Sequence, residues 1–375
     1  MLLAAVVAGS LVFCVLTIVA AYQYRSVPKP VAKIFPPISV LKPLHGLDEG
    51  LEANLRTFFA QNYPNFELLF AVREGVDLAA PIVEKLQNDF PAVSSRLLVV
   101  GEPSYANAKV WSLERMTEAA KNDLLVMSDS DIRVTPDMLR GIAAEFGDPK
   151  VGVSTCPYRA VAGKSLASRL EAVGMNTEFF AGVLVARMLE GMKFALGPTA
   201  TVRRQALEEI GGWNRLQDYL AEDFVLGSFA AAKGWKVILS SYVIEHRIGS
   251  QPWLANARHR LRWFRSTRRS RPAGYVGLLF TNPLPLALLL TLLQPSWWPL
   301  LVATVVLRYA AALSTVWLLQ APLKWHLLPV QDILSFVFWL AGFFGNTIVW
   351  RGRKYILLPD GKFHPQRESG YERQS

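Results

Sequence analysis

The chain reads as an α/β protein: a mostly parallel sheet with helices on both faces, held to a membrane by apolar helices at its two ends. Three observations carry this reading. Short apolar runs alternate with helical stretches from residue 38 to about 250, the pattern of a parallel sheet built with crossover helices. Residues 1–24 carry no charge, a run long enough to span a bilayer. Of the 375 residues 51% are hydrophobic, and mean hydropathy is +0.23, high for a purely soluble enzyme.

The elements follow in order. A signal peptide would have a basic start and a shorter apolar core, so residues 1–24 are read as a retained anchor. Arg25, Lys29 and Lys33 follow it, and the positive-inside rule puts that side in the cytoplasm. Residues 25–37 hold four prolines and read as a linker. Strands are expected at 38–44, 66–72, 96–100 and 123–127. Helices are expected from Asp48, as a cap, to about residue 60, then at 81–90 and 109–120. Thr135-Pro136 reads as a helix start, with Thr as N-cap and Pro in the first turn. Residues 151–250 are less regular, with a strand at 194–203, a helix at 221–233 and a strand at 236–240.

Residues 251–272 differ in kind. Trp253, Ala257, Leu261 and Phe264 share one helical face, and Arg258, Arg262, Arg265 and Arg269 another. A basic amphipathic helix suits an anionic membrane surface. The formal charge is +10, but without the seven arginines from Arg258 to Arg271 it falls to +3. Apolar runs follow at once, so the patch reads as membrane-facing, with no nucleic-acid partner. Spans are expected at about 275–293, 297–319 and 330–350, with Arg308 and Asp332 facing the bundle or snorkelling. Three spans would leave the basic tail at 351–354 on the far side, against the charge rule, so one of the three reads as re-entrant or interfacial. The expected divisions are thus 1–24, 25–37, 38–250, 251–272, 273–350 and a mobile tail, 351–375.

The strand at 123–127 runs into Ser128-Asp-Ser-Asp131. In an open α/β sheet ligands bind beyond the carboxyl ends of strands. Two carboxylates there can hold a divalent metal, and the metal a diphosphate. Alone, Asp-x-Asp is common and fits a plain polar turn. Three further features fall at strand ends or helix starts, or in the basic helix: Glu74, Glu222-Asp223 and Arg262-Trp263. Two cysteines give no disulfide framework, and five histidines without an H-x-x-x-H pair disfavour zinc. No dinucleotide or P-loop glycine motif occurs. His45 and His246 read as ordinary polar residues, and Trp213 as core or as a wall of an acceptor path.

The stretches Ile38-Ser-Val-Leu-Lys-Pro-Leu-His-Gly46, Ser128-Asp-Ser-Asp-Ile-Arg-Val134, Ala221-Glu-Asp223 and Arg262-Trp263 together resemble the ceramide glucosyltransferase family of inverting glycosyltransferases. The likeness runs over about residues 38–350. Bacterial hopanoid-associated glycosyltransferases are a close branch and share Arg271-Pro-Ala-Gly-Tyr275. The resemblance implies a GT-A fold, a UDP-sugar donor and a lipid alcohol acceptor such as ceramide or a hopanoid. It also implies a multi-pass protein of a bacterial inner membrane with its catalytic domain in the cytoplasm. It puts the donor's uracil contact on Glu74, where the family has Asp, and the second acidic position on Asp129. Asp223 becomes the general base. The Gln/Arg-x-x-Arg-Trp motif falls on His259, Arg262 and Trp263, with His in the first place. Asn107-Ala-Lys109 resembles a donor-site Asn-Pro-Lys segment, which sets Lys109 near the diphosphate.

The expected chemistry is transfer of a sugar, glucose first, to a lipid hydroxyl. Mg²⁺ or Mn²⁺ on Asp129 and Asp131 would neutralise the departing diphosphate, with Arg262 adding a charge-assisted contact. Asp223 would take the acceptor's proton, and one in-line attack would give a β-glycoside. The alternatives are N-acetylglucosamine transfer to a hopanoid and an inactive membrane scaffold, the latter prompted by the changes at Glu74 and His259.

Overall fold

The computed structural model describes residues 1–32, 34–350 and 353–366. Lys33 and Arg351, both used in the charge-bias argument, and residues 367–375 of the tail lie outside them. After helix α1 (Leu2–Arg25), strand β1 (Ile38–Pro43) leads through α2 (Leu51–Phe59), β2 (Phe66–Val72), α3 (Ala80–Asp89), β3 (Ser94–Val99) and α4 (Ala108–Ala119) to β4 (Leu124–Ser128). These four strands are parallel, and β1 lies between β2 and β4. β1 and β4 are buried along their whole length, as strands covered on both faces must be. Each fully buried Leu or Val there contributes about 1.5–3 kcal/mol.

Residues 151–190, read as less regular, are fully structured. The short β5 (Ile132–Arg133) and α5 (Met138–Glu145) precede β6 (Val151–Thr155) and β7 (Tyr158–Ala162). Then α6 (Leu166–Gly174), a π-helical turn (Met175–Phe179) and α7 (Phe180–Glu190) form one long rod. β8 (Thr199–Arg203), α8 (Arg204–Glu209), α9 (Glu222–Ala232), β9 (Lys236–Leu239) and β10 (Ile244–Ile248) complete the domain. The main sheet has the order β3-β2-β1-β4-β8-β6-β9, with β8 antiparallel to both neighbours. A second sheet, β5-β10-β7, stands beside it.

Some local expectations are corrected. Asp48 does not cap α2: Gly50 takes the cap position in a left-handed conformation (φ 79°), and the Asp48 carboxylate accepts from the Ser130 hydroxyl instead. Thr135 does not start a helix, because its amide and hydroxyl are held by the Tyr242 hydroxyl (2.7 and 2.9 Å) and α5 begins at Met138. The strand expected from 194 begins only at Thr199, after the Gly197-Pro198 turn.

α10 (Trp253–Ser270) forms as expected, but its faces are used differently. The buried residues are Asn256 and Arg260, not the Trp253–Leu261 side. α11 (Pro272–Gly277) leads to α12 (Pro283–Leu293), bent by 61° at the break, so residues 272–293 make a broken or re-entrant segment. α13 (Trp298–Leu319) follows, and with the turn before it Pro295–Leu319 is long and apolar enough to cross a membrane, as is Leu2–Arg25. The third expected span fails. α14 (Leu328–Gly342) has 15 residues, about 22 Å at 1.5 Å per residue, short of a ~30 Å bilayer core. Gly345 (φ 74°) turns the chain into β11 (Thr347–Trp350), β12 (Arg353–Leu357) and β13 (Phe363–Pro365). Of the expected mobile tail, residues 353–366 thus carry the strands β12 and β13. They return to the α/β domain, where Phe363 N–H donates to Asp218 O (2.8 Å) and Leu220 packs among Ile348, Tyr355, Leu357 and Phe363.

α1 and α13 lie side by side, with the Arg25 guanidinium 3.7 Å from the centre of the Trp317 ring. Arg308 of α13 forks onto Asp332 of α14 at 2.7 and 2.8 Å and also donates to the Thr177 hydroxyl (3.2 Å). Glu178, in the π-helical turn, accepts from Thr281, Asn282 and Ser335. Arg308 and Asp332 thus face the bundle, and neither snorkels.

Candidate active site

The site forms beyond the carboxyl end of β4. The Asp129 N–H donates to Pro198 O (3.0 Å), and Thr199 donates to the Ser128 hydroxyl (3.0 Å), so the start of β8 fixes the Asp-x-Asp turn. From below, the fully buried Lys42 ammonium of β1 donates to Asp129 O and to the Ser128 hydroxyl, and it sits 3.8 Å from the centre of the Phe58 ring. Burial pulls Lys42 down to about 7, against the attraction of Asp129 and Asp131.

Lys109 joins the acidic positions. Asn107 caps α4, its Oδ1 accepting from the amides of Lys109 and Val110 (3.0 and 3.2 Å). The Asn107 amide donates to Glu222 (3.3 Å) at the first turn of α9. Lys109 Nζ lies 2.8 Å from Asp129 Oδ1 and 3.1 Å from Glu222 Oε1. Burial works against its charge, but Asp129, Glu222 and Asp223 outweigh that and hold its pKa above the ordinary lysine value. Next to Glu222, Asp223 faces Gly197 so closely that a Cβ there would stand 2.8 Å from Asp223 Oδ2. α9 can come this near because Gly227 packs on the Phe194–Ala195 backbone, where a Cβ would fall at 2.4–2.6 Å. Burial, then the Glu222 carboxylate, pushes Asp223 up to about 7.

Asp131 is held by a residue read from sequence as merely polar. β10 pairs with β5 so that His246 is opposite Ile132, and the Arg247 amide donates to Asp131 O (2.8 Å). His246 Nε2 is 3.0 Å from Asp131 Oδ2. Burial alone would raise Asp131, but the imidazole holds its carboxyl below the ordinary value. Tyr158, on β7, meets the His246 ring edge-on at 5.5 Å.

The structure thus brings together Asp129, Asp131, Lys109, Glu222 and Asp223, with four carboxylates facing two lysines and one imidazole. Among the described residues no three His, Cys, Asp or Glu side chains already converge as a metal cage. The donor set still suits a hard cation: carboxylate oxygens from Asp129 and Asp131, with the His246 nitrogen beside them, in a cluster rich in negative charge.

Other expected positions have partners of their own. Glu74 is exposed on the loop after β2, and its carbonyl accepts from Asp77 N–H. The anchored acid there is Asp77, which accepts from Gly46 N–H (3.0 and 3.2 Å) and Ala79 N–H (2.9 Å). A small recess lined by Leu44, His45, Arg73, Val100, Ala108 and Trp111 opens beside that loop. His259 lies 3.5 Å from Glu171 of α6 and 4.6 Å, ring to ring, from Trp263. Arg262 stands 6.0 Å from the centre of the Trp350 ring of β11. Trp213 is core, its indole donating to Thr117 (2.9 Å). Sequence reasoning gave no site role to Lys42, Gly197, Glu222 or His246. Glu222 was visible as the neighbour of Asp223. The other three had no signal short of knowing the strand register.

A sheet of this order, with an Asp-x-Asp turn at one strand end and an acidic helix start across from it, is the frame of a glycosyltransferase. The chain belongs to glycosyl transferase family 21, which it matches over residues 2–363. It is 30% identical over 209 residues to ceramide glucosyltransferase 1 of Caenorhabditis elegans, covering 55% of this chain and 44% of that one. Against ceramide glucosyltransferase 3 of the same organism it is 27% identical over 208 residues, covering 55% and 45%. The chain therefore spans a little under half the length of the curated relatives it matches. Its GT-A-like fold is shared with a mannosyltransferase of Pyrobaculum calidifontis solved with GDP-Man and Mn²⁺. There the TM-score is 0.55 at 18% identity, over 91% of this chain and 96% of that one.

Proposed function

We propose that the protein transfers a hexose, glucose first, from a UDP-sugar to the hydroxyl of a membrane lipid, with inversion to a β-glycoside. One observation carries this reading: Lys109 gathers Asp129 and the Glu222-Asp223 helix start around a single charged point beyond β4. The names of the relatives, ceramide glucosyltransferases, favour ceramide as acceptor and glucose as sugar. N-acetylglucosamine transfer to a hopanoid is the close alternative.

In this reading Asp223 takes the proton from the acceptor hydroxyl as the new bond forms, a role worth about 10²–10⁴-fold. Its elevated pKa makes it a competent base near neutrality. Lys109 and Arg262 accompany the negative charge of the leaving diphosphate, and Trp263 packs against the acceptor. Asp129 and Asp131 would hold Mg²⁺ or Mn²⁺, which when bound supplies charge neutralisation at the diphosphate. The uracil end of the donor is assigned to the recess beside Glu74 and Asp77.

The membrane reading rests on α1, the bent 272–293 segment and α13. Exposed tryptophans mark both ends of α13, Trp298 at one and Trp317 and Trp325 at the other, as in interfacial aromatic belts. Arg25 and Lys29 support a cytoplasmic side for the catalytic domain. Trp253 and Leu254, exposed by 50% and 60% at the start of α10, support an interfacial place for that helix. Three crossings with α14 left out would return the tail to the cytoplasmic side, as its charges require.

The test is incubation of membranes holding the full chain with labelled UDP-glucose or UDP-N-acetylglucosamine, plus ceramide or a hopanoid polyol. A labelled β-linked lipid is expected. If neither sugar yields a lipid product and neither donor binds, the reading is wrong.

A further inference from the structure

The β11–β13 sheet lies far along the chain from the Asp-x-Asp turn, yet it touches three segments that carry expected site residues. On one side it rests on α10, the helix of Arg262 and Trp263. Arg265 donates to Thr347 O (2.6 Å) at the start of β11, and Arg262 faces the Trp350 ring at its end. Gly361, between β12 and β13, has φ 83°, and a Cβ there would stand 2.9 Å from the Ser270 hydroxyl of α10. Glycine suits both that conformation and that approach. On the other side the sheet holds residues 216–221, the loop that opens into α9 and Glu222-Asp223. Phe363 N–H donates to Asp218 O (2.8 Å), Leu220 N–H to Gly361 O (3.4 Å), and Tyr219 pairs with Lys362 in an antiparallel bridge. The Leu220 side chain is buried among Ile348, Tyr355, Leu357 and Phe363. The third segment leads to Asn107 and Lys109. Its Ala106 packs against the same apolar group, and its Glu102 lies 3.6 Å from Arg353 of β12.

The loop is therefore clamped from two directions. Asn107 N–H donates to Gln217 O (3.2 Å) and its side-chain amide to Tyr219 O (2.8 Å), while the sheet grips Asp218, Tyr219 and Leu220. The neighbouring site residues are held by other means. Pro198, Thr199 and Lys42 fix the Asp129 turn from within the main sheet. Lys109 stands on α4, which packs on β1 and β2. The later part of α9 rests through Gly227 on the Phe194–Ala195 backbone. Asp223 is different: it sits in the first turn of α9, directly after the clamped loop. A loop without regular structure moves more than the elements it joins, so the clamp decides how firmly this carboxylate is placed.

We infer that the β11–β13 sheet is a positioning element of the active site: through Phe363 and Leu220 it fixes the start of α9, so that Asp223 meets the acceptor hydroxyl. The assignment rests on the reading of Asp223 as the base and deepens it. Phe363 and Leu220 touch no reacting atom here and are positioning residues. Because the same sheet sits on α10, it also ties the Asp223 helix to the helix of Arg262 and Trp263.

The experiment uses the purified full chain in detergent micelles with UDP-glucose and ceramide. Phe363→Ala should lower kcat by about 10–10²-fold, the cost of a small misplacement made away from the chemistry, while the Kd for UDP-glucose stays within about twofold. Phe363→Leu, which refills most of the seat, should recover most of that loss. Leu220→Ala empties the loop's own side of the contact and should act the same way; it decides the matter if Phe363→Ala fails to fold. The double variant separates positioning from plain loss of stability. Phe363→Ala combined with Asp223→Asn should turn over no more slowly than Asp223→Asn alone, because a base already removed cannot be misplaced. Losses that multiply in the double variant, or an unchanged kcat in a folded single variant, overturn this assignment alone. A wild-type protein that binds UDP-glucose but glycosylates neither ceramide nor a hopanoid polyol overturns the transfer reading and this assignment with it.

Discussion

Two regions of the molecule bury carboxylates beside cations, and they do so in opposite ways. In the helical bundle, Arg308 forks onto Asp332, and both oxygens of Glu178 are occupied by Thr281, Asn282 and Ser335. At the end of β4, Asp129, Asp131, Glu222 and Asp223 crowd around Lys109, with His246 on one flank and Lys42 beneath. In the first region each named carboxylate oxygen has a partner. The second carries more acid than base and opens at a strand end. A buried pair that satisfies itself locks helices together but leaves nothing over for a ligand. An unbalanced cluster is costly until a ligand brings the missing charge.

The contrast breaks most directly at its two carboxylates. Asp223→Asn should lower transfer by about 10²–10⁴-fold, with UDP-sugar binding retained in a filter or calorimetric assay; near-normal turnover would remove the base from the cluster. Asp332→Ala should do the reverse. Stranding Arg308 costs about 3–5 kcal/mol for a buried pair, read as a large drop in Tm, while the protein that remains folded should keep its donor affinity.

The pH dependence separates the regions further. Because burial and Glu222 push Asp223 up to about 7, it holds a proton below that pH and does not act as a base. Turnover should therefore rise as pH rises through about 7. The folded state binds this proton more tightly than the unfolded chain, so Asp223 costs stability increasingly as pH climbs from the ordinary carboxylate range to about 7. Asp223→Asn should accordingly melt higher than wild type at pH 8 and lose that slope, whereas a wild-type melting temperature flat from pH 5 to 8 would contradict the shift. A smaller effect is expected at Lys109→Gln. Removing the charge shared by Asp129 and Glu222 should weaken UDP-sugar binding by about tenfold, near the value of one charge-assisted hydrogen bond. Glu74→Gln should change donor KM least, about twofold or less, since the residue is exposed and surface charges contribute little; Asp77→Asn in the same assay should have the larger effect.

Much of the site was legible because it sits where local patterns end. Asp129, Asp131 and Asp223 follow an apolar strand or open a helix, and chain order alone suggests that they meet. The small sheet was not legible. His246 reaches Asp131 only because β10 pairs with β5 in one register, and a shift of one residue would turn it to the other face. The basic helix misled for a related reason. Its arginines look like one membrane-facing stripe, yet Arg265 and Arg268 donate to the carbonyls of Phe343, Phe344, Gly345 and Thr347 past the end of α14. A helix C-terminus attracts cations, but no sequence pattern says which helix end lies near. The 330–350 run misled because hydropathy does not register Gly345, where the chain turns into a strand.

The sequence by itself determined the alternation of strands and helices, the apolar N-terminal helix and the acidic turn beyond β4. Each depends on residues close in the chain, where period and side-chain type decide the outcome. The tertiary structure decided which charges pair, which apolar runs form one long helix and which bend or fold back, and which imidazole meets the Asp-x-Asp turn. Those choices depend on contacts between distant segments. There, packing and the need to satisfy buried polar groups select one partner among several that the sequence leaves equally possible.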